Sequence, residues 1–103
     1  GVVQGIGFSI FEELVLDNGR LINPNLTDYR VPTALDVPRI DMLIDEDPDP
    51  TGPFGAKGVG EPPIIPPAAA IANAIFDATG VRIKSNPINQ EKLYFALKRQ
   101  ILK

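Results

Sequence analysis

Glu61 is the residue of this sequence best placed to do chemistry. It stands in the stretch GPFGAKGVGEPP, residues 52–63, between a glycine-rich run and two prolines. Gly55, Gly58 and Gly60 lack a Cβ, so another molecule can approach the backbone closely and positive φ is open to it. Pro62 disfavours the α region for the residue before it, and Pro63 does the same to Pro62. Glu61 is therefore expected on a stiff, extended stub at the foot of a helix. A carboxylate presented in this way suits a general base, which must lie within hydrogen-bond reach of the proton it removes. The same residues also suit a plain structural turn, and residue chemistry alone leaves the two readings level.

Other chemistries fall away by residue type. The chain has no His and no Cys, which removes zinc and iron–sulfur ligation, disulfides and the usual general base. Any chemistry must use carboxylates, Lys or Tyr, or a cofactor that brings its own metal ligands. A phosphate-binding Walker loop needs Gly-Lys-Ser/Thr, but Lys57 lies between Ala56 and Gly58. The dinucleotide fingerprint fails because Pro63 stands where its last glycine belongs. Asp45, Glu46, Asp47 and Asp49 are broken up by Pro48 and Pro50 without calcium-loop spacing, and read as a solvated loop. Glu12 and Glu13 at a helix end read as exposed, and Tyr29 and Arg30 as structural.

At 103 residues the chain makes at most one domain, and 44% hydrophobic with 22% charged residues is ordinary globular composition. A net charge of −3 gives no reason to expect nucleic acid or an anionic membrane as partner. Absence of Cys fits a cytoplasmic setting. The opening Gly1-Val2-Val3-Gln4 enters an apolar element at once and without Met, which reads as a piece of a longer protein.

The elements that would position Glu61 emerge from periodicity. Val3, Ile6, Ile10 and Leu14 predict a helix over 2–14, with Gly5 and Gly7 inside it marking close approach of another backbone or of a ligand. Asn18-Gly19 between the apolar runs of 14–22 predicts a hairpin. Pro24, Pro32 and Pro38 divide residues 23–38 into short extended pieces. Ile40, Met42 and Ile44 alternate with Arg39, Asp41 and Asp45 as a half-buried strand over 39–46. Residues 66–80 predict a helix with Pro66 and Pro67 in its first turn and Gly80 just past its end. That helix is apolar around much of its girth, so it calls for cover on several sides. Val81–Ile83 suggest a short strand. Residues 89–103 predict an amphipathic helix capped by Asn89, with Glu91 in its first turn and Lys98, Arg99 and Lys103 toward its end. The fold class is α+β: a hairpin and short strands packed with about three helices.

GAKGVGEPPIIPPAAAIANAI resembles the C-terminal part of the molybdopterin-binding subunit of the xanthine dehydrogenase / aldehyde oxidase family, the molybdenum hydroxylases. VVQGIGFSIFEELVLDNGRL is similar to that family's Gln-Gly-x-Gly helix and hairpin, DYRVPTALDVP to its Tyr-(Lys/Arg)-(Ile/Val)-Pro segment, and NQEKLYFAL to its closing helix. The likeness runs nearly end to end. It implies that residues 1–103 are the C-terminal part of a molybdopterin-binding domain. It also implies that Glu61 is the active-site base beside molybdenum, with Lys57, Gly58, Val59 and Gly60 as the backbone wall next to the cofactor. The reaction implied is oxidation of an aldehyde or N-heterocycle, with electrons leaving through iron–sulfur and flavin subunits or domains. In this family a pterin dithiolene, not side chains, holds the metal. The rest of the cofactor site belongs to upstream molybdopterin-binding domains, so the isolated chain is expected to bind no molybdenum and to be inactive. Self-association is one way it could cover surface those domains would cover. The competing reading is a small non-catalytic interaction or anion-binding module built on the Gly-rich loop.

Overall fold

Gly5 and Gly7 decide how the chain begins. In the computed structural model, which describes residues 1–102, helix α1 covers Val2–Ile6 and runs directly into a π-helical turn, Gly7–Phe11. Gly5 is buried against a later helix: a Cβ there would stand 2.5 Å from Pro67 Cγ and 2.8 Å from the Ile64 carbonyl oxygen. Gly7 is enclosed by the Glu12 carboxylate and by Pro32, whose Cδ would lie 3.0 Å from such a Cβ. Both glycines thus serve close packing within the chain.

The helix predicted over 2–14 stops at Phe11. Ser9 Oγ donates to the Gly5 carbonyl at 2.5 Å, and the Glu12 N–H closes onto Gly7 O at 2.9 Å. Side-chain bonding back to the preceding turn bends a helix, and Glu12 is already extended at φ −87°, ψ 116°. Glu12 is also half-buried rather than exposed, because its carboxylate accepts from Tyr29 Oη at 2.5 Å. Tyr29 thus ties the segment after the hairpin to the end of the first helical stretch.

Strands β1 (Leu16–Asp17) and β2 (Arg20–Leu21) pair antiparallel, Leu16 opposite Leu21 and Asp17 opposite Arg20. Asn18 and Gly19 make the turn at φ 48° and 81°, the left-handed pair that a two-residue hairpin needs. Asn23 closes the base: its Oδ1 accepts from Val15 N at 2.8 Å and its Nδ2 donates to Glu13 O at 2.6 Å.

Neither further strand forms. A strand exists only where a neighbour supplies ladder bonds, and no described segment pairs with 39–46. Residues 81–83 are tied back to the preceding helix instead. Val81 N donates to Thr79 Oγ1 at 3.1 Å, and Arg82 donates to Asn73 Oδ1 at 2.7 Å while its guanidinium lies 4.1 Å from the Phe76 ring centre.

Helix α2 (Pro66–Thr79) starts on its two prolines and ends at Gly80, which adopts φ 72° and donates to Phe76 O at 2.7 Å. Helix α3 (Gln90–Ile101) is capped by Asn89 Oδ1 accepting from Lys92 N at 2.9 Å, with Glu91 in its first turn and Lys98 and Arg99 in its last. Lys103, assigned to that helix end from sequence, lies outside the described residues. The architecture is α+β, three helices and one hairpin.

The core that holds these pieces together is small. Ser9 is fully enclosed, its carbonyl accepts from Ile88 N at 2.6 Å, and Ile88 is the buried large apolar side chain among the described residues. Most of α2 stays exposed, although it is apolar nearly all round. The chain presents 8523 Å² to solvent, whereas a folded monomer of this mass presents about 5,650 Å². Its radius of gyration, 17.5 Å, compares with about 13 Å for a self-contained domain of this length. Apolar surface of this extent is the kind that other protein covers.

Candidate active site

Glu61 is fixed at its stem and free at its tip. Its backbone is not extended: φ −89°, ψ −32° place it in the helical region, at the N-cap of a 3₁₀ turn over Pro62–Ile64. The steric preference imposed by Pro62 is overridden because that turn gives Glu61 O a donor, Ile64 N at 2.9 Å, followed by Ile65 N to Pro62 O at 3.2 Å. The turn continues through Ile65 into α2. Its other side rests on the start of α1, where a Cβ on Gly1 would meet Gly60 O at 2.6 Å and Pro63 Cβ at 3.0 Å. The carboxylate itself does not cap the turn. It is exposed, and among the described residues it forms no ion pair.

The glycines beside it differ in purpose. Gly55 adopts φ 77° next to Phe54 at φ 54°, so the bend at the start of the loop requires it. Gly58 and Gly60 have no positive φ, and a Cβ on either would meet nothing within 4 Å. Nothing within the described chain needs glycine at these two positions. Both positions are open to approach from outside.

Two open grooves flank Glu61 in chain order. One, of about 440 Å³, is lined by Asp45, Glu46, Asp47, Phe54, Lys57 and Gly58 among others. Lys57 Nζ lies 3.8 Å from Asp47 Oδ2, so the side chain turns toward that acid while the Lys57–Gly60 backbone stays open. The other, of about 350 Å³, is wholly apolar and runs between Val2 and Ile6 of α1 and Pro63, Pro66, Ala70 and Ile71. The five residues singled out from sequence are therefore contiguous and accessible. The acids of 45–49 do not assemble: no group of three or more carboxylates, His or Cys among the described residues could hold a metal.

Residues 1–38 match the family model of the molybdopterin cofactor-binding domain. The chain is 46% identical over 96 residues to the xanthine dehydrogenase molybdenum-binding subunit of Escherichia coli O157:H7, covering 91% of this chain and 13% of that protein. It belongs to the molybdenum hydroxylase family. The aldehyde oxidoreductase molybdenum-binding subunit PaoC of Escherichia coli K12 is 39% identical over 95 residues, 89% of this chain and 13% of that one. The crystal structure of quinoline 2-oxidoreductase from Pseudomonas putida 86 superposes with a TM-score of 0.80 at 36% identity, over 94% of this chain and 13% of that one. The chain thus spans about one-eighth of the length of the curated relatives it matches. No helix among the described residues is long and apolar enough to cross a membrane.

Two polar bridges escape a reading by residue type, Glu12–Tyr29 and Asn23 with the Glu13–Val15 backbone. Their partners lie 8 to 17 residues apart with no repeating pattern between them, so only the fold discloses them. Both secure the hairpin region and neither reaches the loop that carries Glu61.

Proposed function

We propose that residues 1–103 form the C-terminal part of the molybdopterin-binding domain of a molybdenum-dependent oxidoreductase, one that oxidises an aldehyde or an N-heterocycle. Glu61 is its active-site base. The observation that carries this reading is the combination at 58–61: two glycines open to an outside neighbour, then a carboxylate with an anchored backbone and no partner among the described residues. A base needs this arrangement, a fixed stem and an uncommitted oxygen aimed at the proton to be removed.

Bound molybdopterin would supply the redox-active metal and accept the electrons. This chain's own part is positional and acid–base. Lys57, Gly58, Val59 and Gly60 would form the wall beside the cofactor, and the missing Cβ atoms of Gly58 and Gly60 would leave their main-chain groups within its reach. Glu61 takes the proton on a carboxylate oxygen, and the Pro62–Ile64 turn fixes the backbone from which that side chain extends. Enclosure by upstream domains would shed water from the site and strengthen each of these interactions. Iron–sulfur and flavin subunits or domains would carry the electrons onward, and the chain alone would hold no molybdenum.

An anion-binding module is less well supported. The groove beside the Gly-rich loop is lined by Asp45, Glu46 and Asp47 against one Lys, so its field repels anions. Relatives named for xanthine, aldehyde and quinoline chemistry all match this segment, at 46%, 39% and 36% identity, which favours substrate choice elsewhere in the subunit.

The test is Glu61→Gln in the purified full-length parent enzyme. Gln keeps the shape and removes the base, so turnover should fall by about 10²- to 10⁴-fold with molybdenum content unchanged. Turnover near the wild-type level would overturn the assignment.

A further inference from the structure

We propose that residues 39–46 join, as an added strand, the exposed edge of a β-sheet in the remainder of the molybdenum-binding subunit. The proposal rests on the reading that this chain is part of such a subunit. It starts from a conflict between sequence and structure: Ile40, Met42 and Ile44 alternate with Arg39, Asp41 and Asp45 as a strand should, yet no strand is present.

The backbone from Val37 to Pro48 makes no main-chain hydrogen bond among the described residues. Met42 is 81% exposed, Leu43 101% and Ile44 76%. A stretch that is apolar at alternate positions and unpaired along its main chain has everything a ladder needs except its neighbour. Pro38 and Pro48 bracket it, and since neither can donate to a ladder they set the length of the strand.

The chain's relatives are about eight times longer, so ample structure exists to supply a sheet edge. The superposition on quinoline 2-oxidoreductase takes in 94% of the chain and only 13% of that protein, so this chain's fold occurs within a far longer one. The charges argue for one wet face. Asp41 and Asp45 share a face with Arg39, and Glu46 and Asp47 come next, so the sheet gained is buried on the Ile40–Met42–Ile44 side and solvated on the other. Leu43 alone departs from the alternation.

Hydrogen–deuterium exchange of the full-length holoenzyme tests this, with the α2 peptide 66–79 as the internal reference. Amides within 39–46 should exchange about a hundredfold or more slowly than in the unfolded chain. Successive N–H groups of a strand point to opposite edges, so one of Asp41→Pro and Met42→Pro should restore fast exchange there while Asp41→Ala does not. The Glu61→Gln enzyme should keep the slow exchange, which separates failure of this proposal from failure of the base assignment. Unfolded-like exchange of 39–46 in the wild-type enzyme would overturn it, and so would full protection in both proline variants.

Discussion

Gly5 packs directly on Pro67, with room for a hydrogen and not for a methyl group: a Cβ on Gly5 would stand 2.5 Å from Pro67 Cγ. This contact joins α1 to the first turn of α2, and the 3₁₀ turn that carries Glu61 lies between them in chain order. Gly5→Ala would force the two helices apart. Over-packing of this kind costs about 1–3 kcal/mol. The thermal midpoint of the purified parent should drop, and turnover should drop with it because the stem of Glu61 moves.

Gly58 and Gly60 give the opposite expectation. Neither has a positive φ or a neighbour within 4 Å, so alanine at either is compatible with the fold and should stabilise this segment by about 0.4–1 kcal/mol through the unfolded state. On the proposed role of this loop as the wall beside the cofactor, the added methyl groups would obstruct that approach in the assembled enzyme. Gly58→Ala and Gly60→Ala should therefore lower molybdenum content or turnover of the parent while leaving its melting temperature unchanged or raised.

Tyr29 and Glu12 predict a pH dependence. The hydrogen bond to the Glu12 carboxylate, then desolvation and the adjacent negative charge, raise the Tyr29 phenol above its ordinary value of 10.0. The folded state thus holds this proton more tightly than the unfolded one. The contribution is complete below about pH 10 and is lost as pH rises through the folded value. Glu12→Gln should bring the Tyr29 titration, followed by NMR of ring-labelled tyrosine, back toward its ordinary range.

On the acid side the sign reverses. Asp36 is held below its ordinary 3.8 by the Thr33 hydroxyl and then the Thr33 N–H, and Asp49 by the Thr51 N–H and then its hydroxyl. These contributions are present above the unfolded value and fade as pH falls through the folded one. Thr33→Val and Thr51→Val remove the hydroxyl from each and should raise the two carboxyl titrations, read by NMR, without touching Tyr29.

The surface exposed by the chain predicts how it behaves alone. It presents 8523 Å² against the roughly 5,650 Å² of a folded monomer of its mass, and Leu43 and Phe54 are 101% and 110% exposed. The 103-residue chain by itself should bind a hydrophobic dye strongly and melt without a sharp transition. A cooperative calorimetric transition with no dye binding would contradict this.

Local chemistry settled the parts that depend on a few neighbouring residues. Asn18-Gly19 makes the hairpin turn because both residues tolerate positive φ. Pro66 and Pro67 start α2 because the first turn does not use their missing N–H groups, Gly80 ends it, and Asn89 caps α3 through its own side chain. Glu61 and its glycines stand out in the same way. Where α1 ends, why 39–46 is not a strand, and how Glu61 is held were decided by tertiary structure. The first depends on Ser9 bonding back to Gly5 and on Ile88, nearly eighty residues on. The second depends on a neighbour that this chain does not contain among its described residues. The third cannot be read from Pro62 alone, because a dipeptide preference of this size yields once a turn anchored against α1 and α2 offers the Glu61 carbonyl a donor. Short-range sterics can be read residue by residue. Hydrogen-bond partners brought together by the fold cannot.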